Sequence, residues 1–284
     1  MAHLPAFRGC AGPHKDVGLT ATISTGATRL HLLKHSMAIF ERTTDDGLVR
    51  LNYEVTGNGP PILLIAPGGL RSTLDVWANM PWNPITALAD THTVIAMDQR
   101  NAGDSFGPLL GHHGWDTYTD DQLALLDHLQ IDTFAIAGMC IGGPYIMGLI
   151  AAAPERVTRA VMLQPIGVDN NRQVFSDLVS GWKDEIGHLH PETSDAAWDQ
   201  FGHNMFGGDF MYNTSPDDIA GCPTPLIVLM GNDIYHPESI SRAVAQHAPN
   251  VEFIESWKEG EALVAADLAI KVFLAAQGRL SGAG

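Results

Sequence analysis

Apolar and polar positions along this chain predict strands and helices in alternation from residue 37 onwards. Continuous apolar runs, which are typical of strands covered on both faces, occupy residues 61–66, 93–98, 132–137, 160–164 and 225–230. Helices are predicted over 115–129, with Asp116 or Thr117 as the N-cap, and over 144–154, 238–247 and 262–277. Such alternation predicts an α/β fold with a doubly wound, mainly parallel sheet.

The beginning, the end and one interruption of this pattern indicate how the chain is organised. Extended segments at 38–42 and 48–55, joined by a turn at 45–47, predict an initial hairpin, and 251–255 predicts the last strand. Between 168 and 220 the alternation stops, and two amphipathic helical stretches fall within 171–206. We therefore predict a core of residues 37–167 and 221–284 with an inserted helical cap of residues 168–220.

Residues 1–36 differ in composition from the rest of the chain. Arg8, Lys15, Arg29 and Lys34 stand against a single acidic residue, Asp16. The segment also lacks the continuous apolar stretch of about 7–15 residues that is typical of a secretory signal. We predict a disordered N-terminal extension, with a transit peptide as the alternative.

Composition and charge narrow the classes of partner. A hydrophobic fraction of 45% and a charged fraction of 17% are typical of a globular protein with a sizeable core. The formal net charge of −16, with no basic cluster, makes nucleic acid and anionic membranes poor partners and favours a small-molecule substrate. No apolar run approaches the roughly 20 residues that span a bilayer. The oligomeric state stays open, a homo-oligomer included.

The three cysteines of the chain indicate its compartment. Cys10, Cys140 and Cys222 are scattered, and their spacing matches neither a metal-binding pattern nor a disulfide framework. This favours a reducing cytoplasm, and it predicts no metal and no other cofactor.

The sequence Gly138-x-Cys140-x-Gly142 is the main candidate for chemistry. It follows a predicted buried strand and precedes a predicted helix, which is the context of a nucleophile elbow, a strained turn whose neighbours must be small. The dipole and free N–H groups of the following helix favour the thiolate form of a cysteine at this position. Two other interpretations remain. Cys140 is a small buried hydrophobe in one, and the glycines serve a dinucleotide site in the other, although their spacing does not fit G-x-G-x-x-G.

Over residues 37–277 the chain resembles the α/β-hydrolase superfamily, in a variant whose nucleophile is cysteine, as in dienelactone hydrolases. Five features occur in the expected order: the Pro67-Gly68-Gly69 turn, the loop at 98–105, the elbow, the cap insertion, and Gly231-Asn232-Asp233 before Pro237. The resemblance implies Cys140 as nucleophile. It also implies an oxyanion hole formed by the backbone N–H of Ile141 and that of Gly69, or alternatively Leu70.

The resemblance also implies a triad acid, and here the chain departs from the superfamily pattern. Asp233 matches the acid, with Asp169 in reserve, but no histidine follows the last predicted strand, where the superfamily has its general base. His236, three residues after Asp233, is the leading replacement. The alternatives are His112, His113, His203 and, as a desolvated neutral amine, Lys258.

These residues predict a hydrolase that acts on an ester, lactone or thioester bond of a small apolar compound through an acyl-enzyme on Cys140. One alternative is an acyltransferase that uses the same thioester, because a missing base slows deacylation by water. The other is a non-catalytic ligand-binding protein that keeps the fold. The predicted cap supplies candidate pocket residues, namely Trp182, Trp198, Phe201, Met205, Phe206, Phe210, Met211 and Tyr212.

Overall fold

The computed structural model describes residues 36–276. The predicted N-terminal extension therefore lies outside the described residues except for Ser36, as do the last eight residues of the predicted core, 277–284. The strands are Ser36–Thr44 (β1), Gly47–Gly57 (β2), Pro61–Ile65 (β3), Thr93–Met97 (β4), Phe134–Met139 (β5), Val157–Leu163 (β6), Leu226–Leu229 (β7) and Val251–Ile254 (β8). Each lies on or beside a predicted segment.

Within the described residues the strands form one eight-stranded sheet in the order β1-β2-β4-β3-β5-β6-β7-β8. The pairs β1–β2 and β2–β4 are antiparallel, and every later pair is parallel. The predicted doubly wound, mainly parallel α/β fold is therefore confirmed. Because β3 and β5 to β8 run in the same direction, the loops after them emerge at one edge of the sheet.

Helices cover both faces of the sheet. They are Pro84–Leu88 (α1), Trp115–His128 (α2), Gly142–Ala152 (α3), Arg172–Ile186 (α4), Asp195–Phe206 (α5), Pro216–Ala220 (α6), Glu238–His247 (α7) and Gly260–Ala275 (α8). Alternate residues of β3 enter different cores: Leu63 belongs to the cluster that includes residues of α2, α3 and α7, whereas Leu64 belongs to the cluster that includes residues of α1 and α8. Among residues 36–276, no helix is long and apolar enough to cross a membrane.

The N-terminus of α2 differs from the prediction. Gly114 is the N-cap, and its backbone N–H donates to Thr117 Oγ1 at 3.2 Å, so the expectation that Asp116 or Thr117 would cap the helix is wrong. A Cβ atom at Gly114 would lie 3.2 Å from Asn204 Cβ in α5. Close packing against α5 therefore favours glycine over the usual capping side chains at this position.

The β6–β7 connection, residues 164–225, contains the two predicted amphipathic helices as α4 and α5. Their inward faces share aromatic contacts, with ring centroids 5.0 Å apart for Phe175 and Phe206 and 5.8 Å apart for Trp182 and Phe206. The Trp115 indole N–H of α2 donates to Met205 O at 2.8 Å and joins this connection to the rest of the fold.

Candidate active site

Cys140 lies in the tight turn between β5 and α3. Its φ of 62° is in the left-handed region, which costs a non-glycine residue on the order of 1–3 kcal/mol. Three backbone hydrogen bonds hold the turn: Cys140 N donates to Leu163 O at 3.0 Å, and Cys140 O accepts from Gly143 N and Ile166 N at 3.1 and 3.2 Å. The local geometry is that of a nucleophile elbow.

The glycines of the elbow are required by space. A Cβ atom at Gly138 would lie 2.8 Å from Gly142 O, and one at Gly143 would lie 2.7 Å from Pro165 Cβ. These distances are shorter than van der Waals contact, so larger residues would displace the turn. The prediction of small neighbours around Cys140 therefore has a direct steric basis.

The two described cysteines have different surroundings. Cys140 is half-buried, whereas Cys222 is buried and its Sγ lies 3.6 Å from Thr224 O. Burial raises the pKa of the Cys222 thiol. A reagent in solution therefore has access to Cys140 and little access to Cys222.

Asp233 and His236 belong to one short loop between β7 and α7. The Nδ1 atom of His236 lies 2.8 Å from both carboxylate oxygens of Asp233. The same carboxylate accepts the backbone N–H groups of Tyr235 and His236 at 3.0 and 3.1 Å. This arrangement orients the ring and directs Nε2 away from Asp233.

The Nε2 atom of His236 is buried and has no hydrogen-bond partner of normal geometry in residues 36–276. Burial alone would lower the pKa of His236. The negative charge on Cys140, hydrogen bonding with Asp233 and Cys140, and the charge on Asp233 outweigh burial and raise the pKa to about 9. The thiol and the imidazole are therefore neighbours whose contact is looser than a standard hydrogen bond, as is common before substrate binds.

Asp233 is held as a carboxylate. Burial would raise the pKa of this group, but the hydrogen bond and charge of His236, together with the two backbone N–H groups, lower the pKa to about 2. An ionised Asp233 fixes the proton of His236 on Nδ1 whenever the imidazole is neutral. Nε2 is then free to accept a proton.

Two backbone segments flank the elbow as oxyanion-hole candidates. Gly69 begins a short 3-10 helix after β3, with φ of 63°. In that turn the hydrogen bonds run from Arg71 N to Gly68 O and from Ser72 N to Gly69 O, which leaves the N–H groups of Gly69 and Leu70 without backbone acceptors in the described chain. Ile141 N, just before α3, likewise has no backbone acceptor among residues 36–276.

Asp98, which the sequence analysis did not single out, anchors the segment that follows the Gly69 turn. It is buried, and its carboxylate accepts Leu74 N and Asn52 Nδ2, both at 2.8 Å. Burial raises the pKa of Asp98 despite these donors. An acidic residue directly after a buried strand was the available signal, because a carboxylate there must find partners.

The remaining candidate residues lie in other hydrogen-bond networks. Asp169, the reserve acid, accepts Ser239 Oγ at 2.6 Å. Lys258 Nζ donates to Asn232 Oδ1 at 2.8 Å. His203 lines a groove of about 430 Å³ between α4 and α5. None of these contacts joins its residue to Cys140.

His112 and His113 both lie against Asp46 in the β1–β2 turn. Their Nε2 atoms are 3.3 and 3.1 Å from Asp46 Oδ2, and the three side chains could offer ligand atoms to a metal ion. However, His113 Nδ1 accepts Leu110 N at 3.1 Å, which places the ring proton on Nε2. A metal ion would need Nε2 of His113 to be deprotonated. We therefore interpret these contacts as hydrogen bonds that join the β1–β2 turn to the loop that carries His112 and His113.

Comparison with known proteins identifies the fold family of the chain. A family profile described as "alpha/beta hydrolase fold" matches residues 61–206, which is half of the chain. The chain belongs to the alpha/beta hydrolase fold family. The match includes β3, the turn at Gly69 and the elbow at Cys140, and it ends at the last residue of α5.

Curated relatives of this family match parts of the chain. A 2-hydroxymuconate semialdehyde hydrolase from a Pseudomonas strain is 32% identical over 142 residues, which cover 50% of this chain and 49% of the relative. The 3-oxoadipate enol-lactonase 2 of Acinetobacter baylyi is 32% identical over 114 residues, covering 40% and 41% of the two chains. The chain thus spans about half the length of the curated relatives that it matches.

Solved structures share the fold over a larger part of the chain. A hydrolase from Pseudomonas aeruginosa superimposes with a TM-score of 0.63 at 20% identity, covering 84% of this chain and 98% of that one. The enol-lactonase from Burkholderia xenovorans superimposes with a TM-score of 0.57 at 19% identity, covering 80% and 97%. At this level of identity the likeness establishes the fold alone.

Proposed function

We propose that the protein is a hydrolase that cleaves an ester, lactone or thioester bond of a small, mostly apolar compound through an acyl-enzyme on Cys140. One observation carries the proposal: a half-buried cysteine at a left-handed elbow neighbours the unpartnered Nε2 of His236, whose Nδ1 is bound by Asp233. This is the arrangement of nucleophile, base and orienting acid.

In the acylation step, the Cys140 thiolate attacks the carbonyl carbon and the carbonyl oxygen becomes an oxyanion. The N–H groups of Ile141 and Gly69 are the donors that would stabilise this charge. When the tetrahedral intermediate collapses, the imidazolium of His236 gives its Nε2 proton to the leaving group. The raised pKa of His236, about 9, favours this protonated form before the leaving group departs.

In the deacylation step, His236 is neutral and acts as the base. Its Nε2 takes a proton from water, which attacks the thioester, and the ionised Asp233 stabilises the imidazolium that forms. Collapse of the second tetrahedral intermediate releases the acid and regenerates the thiolate. The acyltransferase alternative rested on a missing base, so the position of His236 favours hydrolysis.

The surroundings of the site support a small substrate. The β6–β7 connection contains the predicted cap, residues 168–220, and in it the aromatic pair of Trp182 and Phe206 packs beside the Gly69 turn, where Trp182 contacts Gly69. The relatives named above are a semialdehyde hydrolase and an enol-lactonase, which is consistent with hydrolysis of a small carbonyl compound. We place the reaction in the cytoplasm, in line with the free cysteines.

Acylation by p-nitrophenyl acetate tests the proposal. We expect a burst of p-nitrophenol and an acetyl group on the peptide that contains Cys140, followed by steady turnover. Cys140→Ala should abolish both signals. Cys222→Ala is the matched control, since it removes the buried thiol and should leave both signals unchanged.

The base is tested in the same assay. His236→Ala should remove steady turnover and leave at most a slow burst, because the acyl-enzyme then lacks a base for hydrolysis. Turnover that persists in the Cys140→Ala protein would exclude Cys140 as the nucleophile. Unchanged turnover in the His236→Ala protein would exclude His236 as the base.

A further inference from the structure

Tyr212 follows Met211, a residue that packs against the elbow. Its segment packs directly on α3, where a Cβ atom at Gly143 would lie 3.2 Å from Met211 Cε. The Tyr212 ring contacts Phe175 and Phe206, with both centroid distances at 5.1 Å. Its φ of 68° is in the left-handed region, so the residue is held in this position against local backbone preference.

The hydroxyl of Tyr212 is a buried donor without a partner. Tyr212 is 7% exposed, and its hydroxyl oxygen makes no hydrogen bond in the described part of the chain. Leaving a buried hydroxyl unsatisfied costs on the order of 1–3 kcal/mol, so such groups commonly face a ligand or water.

Two charged groups act on the Tyr212 hydroxyl. Burial raises the pKa of Tyr212, the positive charge of Arg172 opposes this rise, and the negative charge of Cys140 adds to it. The packing agrees with this interaction, because Met211, the neighbour of Tyr212, contacts the elbow at Gly143. The Tyr212 ring lies against Phe175 of α4 and Phe206 of α5, whereas His236 belongs to the loop after β7.

A comparison within the chain separates Tyr212 from ordinary core tyrosines. Tyr145 in α3 is also buried, and its hydroxyl also has no partner in the described residues. Its ring, however, packs on Trp115 and Tyr118. Burial raises the pKa of Tyr145, and the two groups that add to this rise are Tyr118 and Asp121. Of these two tyrosines, only Tyr212 combines an unpartnered hydroxyl with a charge interaction with the candidate nucleophile.

We propose that the Tyr212 hydroxyl is a substrate-binding donor, and that the substrate carries a second acceptor oxygen on its acyl part, close to the carbonyl that Cys140 attacks. The inference rests on the proposed function. His236 must protonate the leaving group, so that group lies on the side of the β7–α7 loop. The acyl part then extends toward α4 and α5, where Tyr212 donates to its oxygen.

Two esters of equal acyl length test this inference: p-nitrophenyl methoxyacetate and p-nitrophenyl butanoate, which differ by an ether oxygen in place of a methylene. The measured quantity is kcat/KM for the methoxyacetate divided by kcat/KM for the butanoate, in the wild-type, Tyr212→Phe and Tyr145→Phe proteins. Intrinsic reactivity cancels when the ratios are compared between proteins. We expect the ratio to fall roughly five- to tenfold in Tyr212→Phe and to stay unchanged in Tyr145→Phe.

A stability measurement separates substrate binding from a structural role. Because the hydroxyl has no protein partner, Tyr212→Phe should unfold at a urea concentration equal to or higher than that of wild type. An unchanged ester ratio in Tyr212→Phe overturns the inference, and so does an equal fall for both esters, while the proposed function stands. If neither ester acylates Cys140 in the wild-type protein, the proposed function fails and this inference fails with it.

Discussion

His236 combines two environments that act on its two nitrogens in different ways. Nδ1 is fixed by the Asp233 carboxylate at 2.8 Å, and Nε2 is enclosed beside Cys140 without a hydrogen-bond partner of normal geometry in the described chain. Burial disfavours the charged ring, whereas two negative neighbours favour it. The balance depends on Cys140, because its negative charge favours the imidazolium form of His236.

Removing the sulfur should therefore lower the pKa of His236. In Cys140→Ala the negative charge and the hydrogen bond of Cys140 are lost. Burial, which lowers the pKa of His236, is then opposed by Asp233 alone. We expect the pKa to fall from about 9 by about 1 to 3 pH units, measured by NMR titration of the histidine ring.

The Cys222→Ala protein is the control for this titration, because Cys222 is buried elsewhere, against Thr224. Its His236 resonance should titrate as in wild type. A His236 pKa in Cys140→Ala that equals or exceeds the wild-type value would contradict the pairing of sulfur and imidazole.

At the scale of elements, the turn after β3 and helix α4 constrain one another. A Cβ atom at Gly69 would lie 2.2 and 2.4 Å from Cζ2 and Cη2 of Trp182. Trp182 is almost fully buried in the aromatic cluster with Phe206. The ring of Trp182 therefore leaves room only for glycine at the turn that carries one proposed oxyanion donor.

Gly69→Ala should lower kcat/KM for p-nitrophenyl acetate by roughly 100-fold or more, the typical cost of losing one oxyanion donor. The added methyl must move either the turn or Trp182. Trp182→Phe in the same chain removes the clashing atoms, so the double variant should recover part of the activity. Recovery stays incomplete, because alanine at φ of 63° still costs on the order of 1–2 kcal/mol.

The single variant Trp182→Phe is the control that separates packing from catalysis here. It should retain most of the activity, since it keeps Gly69 and an aromatic ring. If the Gly69→Ala protein is as active as wild type, the N–H of Gly69 is not an oxyanion donor. If the double variant recovers nothing, the clash with Trp182 is not the cause.

Elements with strong local signals are the ones that the sequence predicts. The apolar runs that became β3 to β7 and the Gly138–Cys140–Gly142 elbow depend on neighbours in sequence, and α7 begins and ends where its periodicity predicts. The N-cap of α2 was missed because Gly114 is selected by packing on Asn204, 90 positions later in the chain. The contacts of Trp182 and Tyr212 depend on how α4 and α5 dock, which no local pattern encodes.

At the scale of the whole molecule, one edge of the sheet brings the candidate site together. The turns after β3, β5 and β7 carry Gly69, Cys140 and the Asp233–His236 pair to this edge, because these strands are parallel. After β8, Trp257 Nε1 donates to Met230 O at 2.9 Å. This bond joins the loop after β8 to the end of β7, where the Asp233 loop begins. The proposed general base, His236, can therefore come from the loop after β7.

A buried ionic cluster joins three parts of this fold. Asp121 of α2 is fully buried and bonds Arg100, in the loop after β4, through both carboxylate oxygens at 2.7 Å. The same carboxylate pairs with Arg42 of β1 at 2.8 Å. Arg100 is also almost fully buried, so its charge depends on Asp121 for compensation.

Asp121→Asn should therefore lower the free energy of unfolding by about 3–5 kcal/mol, because it leaves the Arg100 guanidinium buried without a counter-charge. Urea unfolding followed by circular dichroism measures this loss. Asp195→Asn is the matched control: Asp195 pairs with Lys183 at 2.8 Å but is 91% exposed, so water compensates for the lost carboxylate and stability should not change measurably. Equal urea midpoints of unfolding for the two variants would mean that Asp121 does not compensate the buried charge of Arg100. The apolar face of α2 would then hold this helix to the sheet without help from the ion pair.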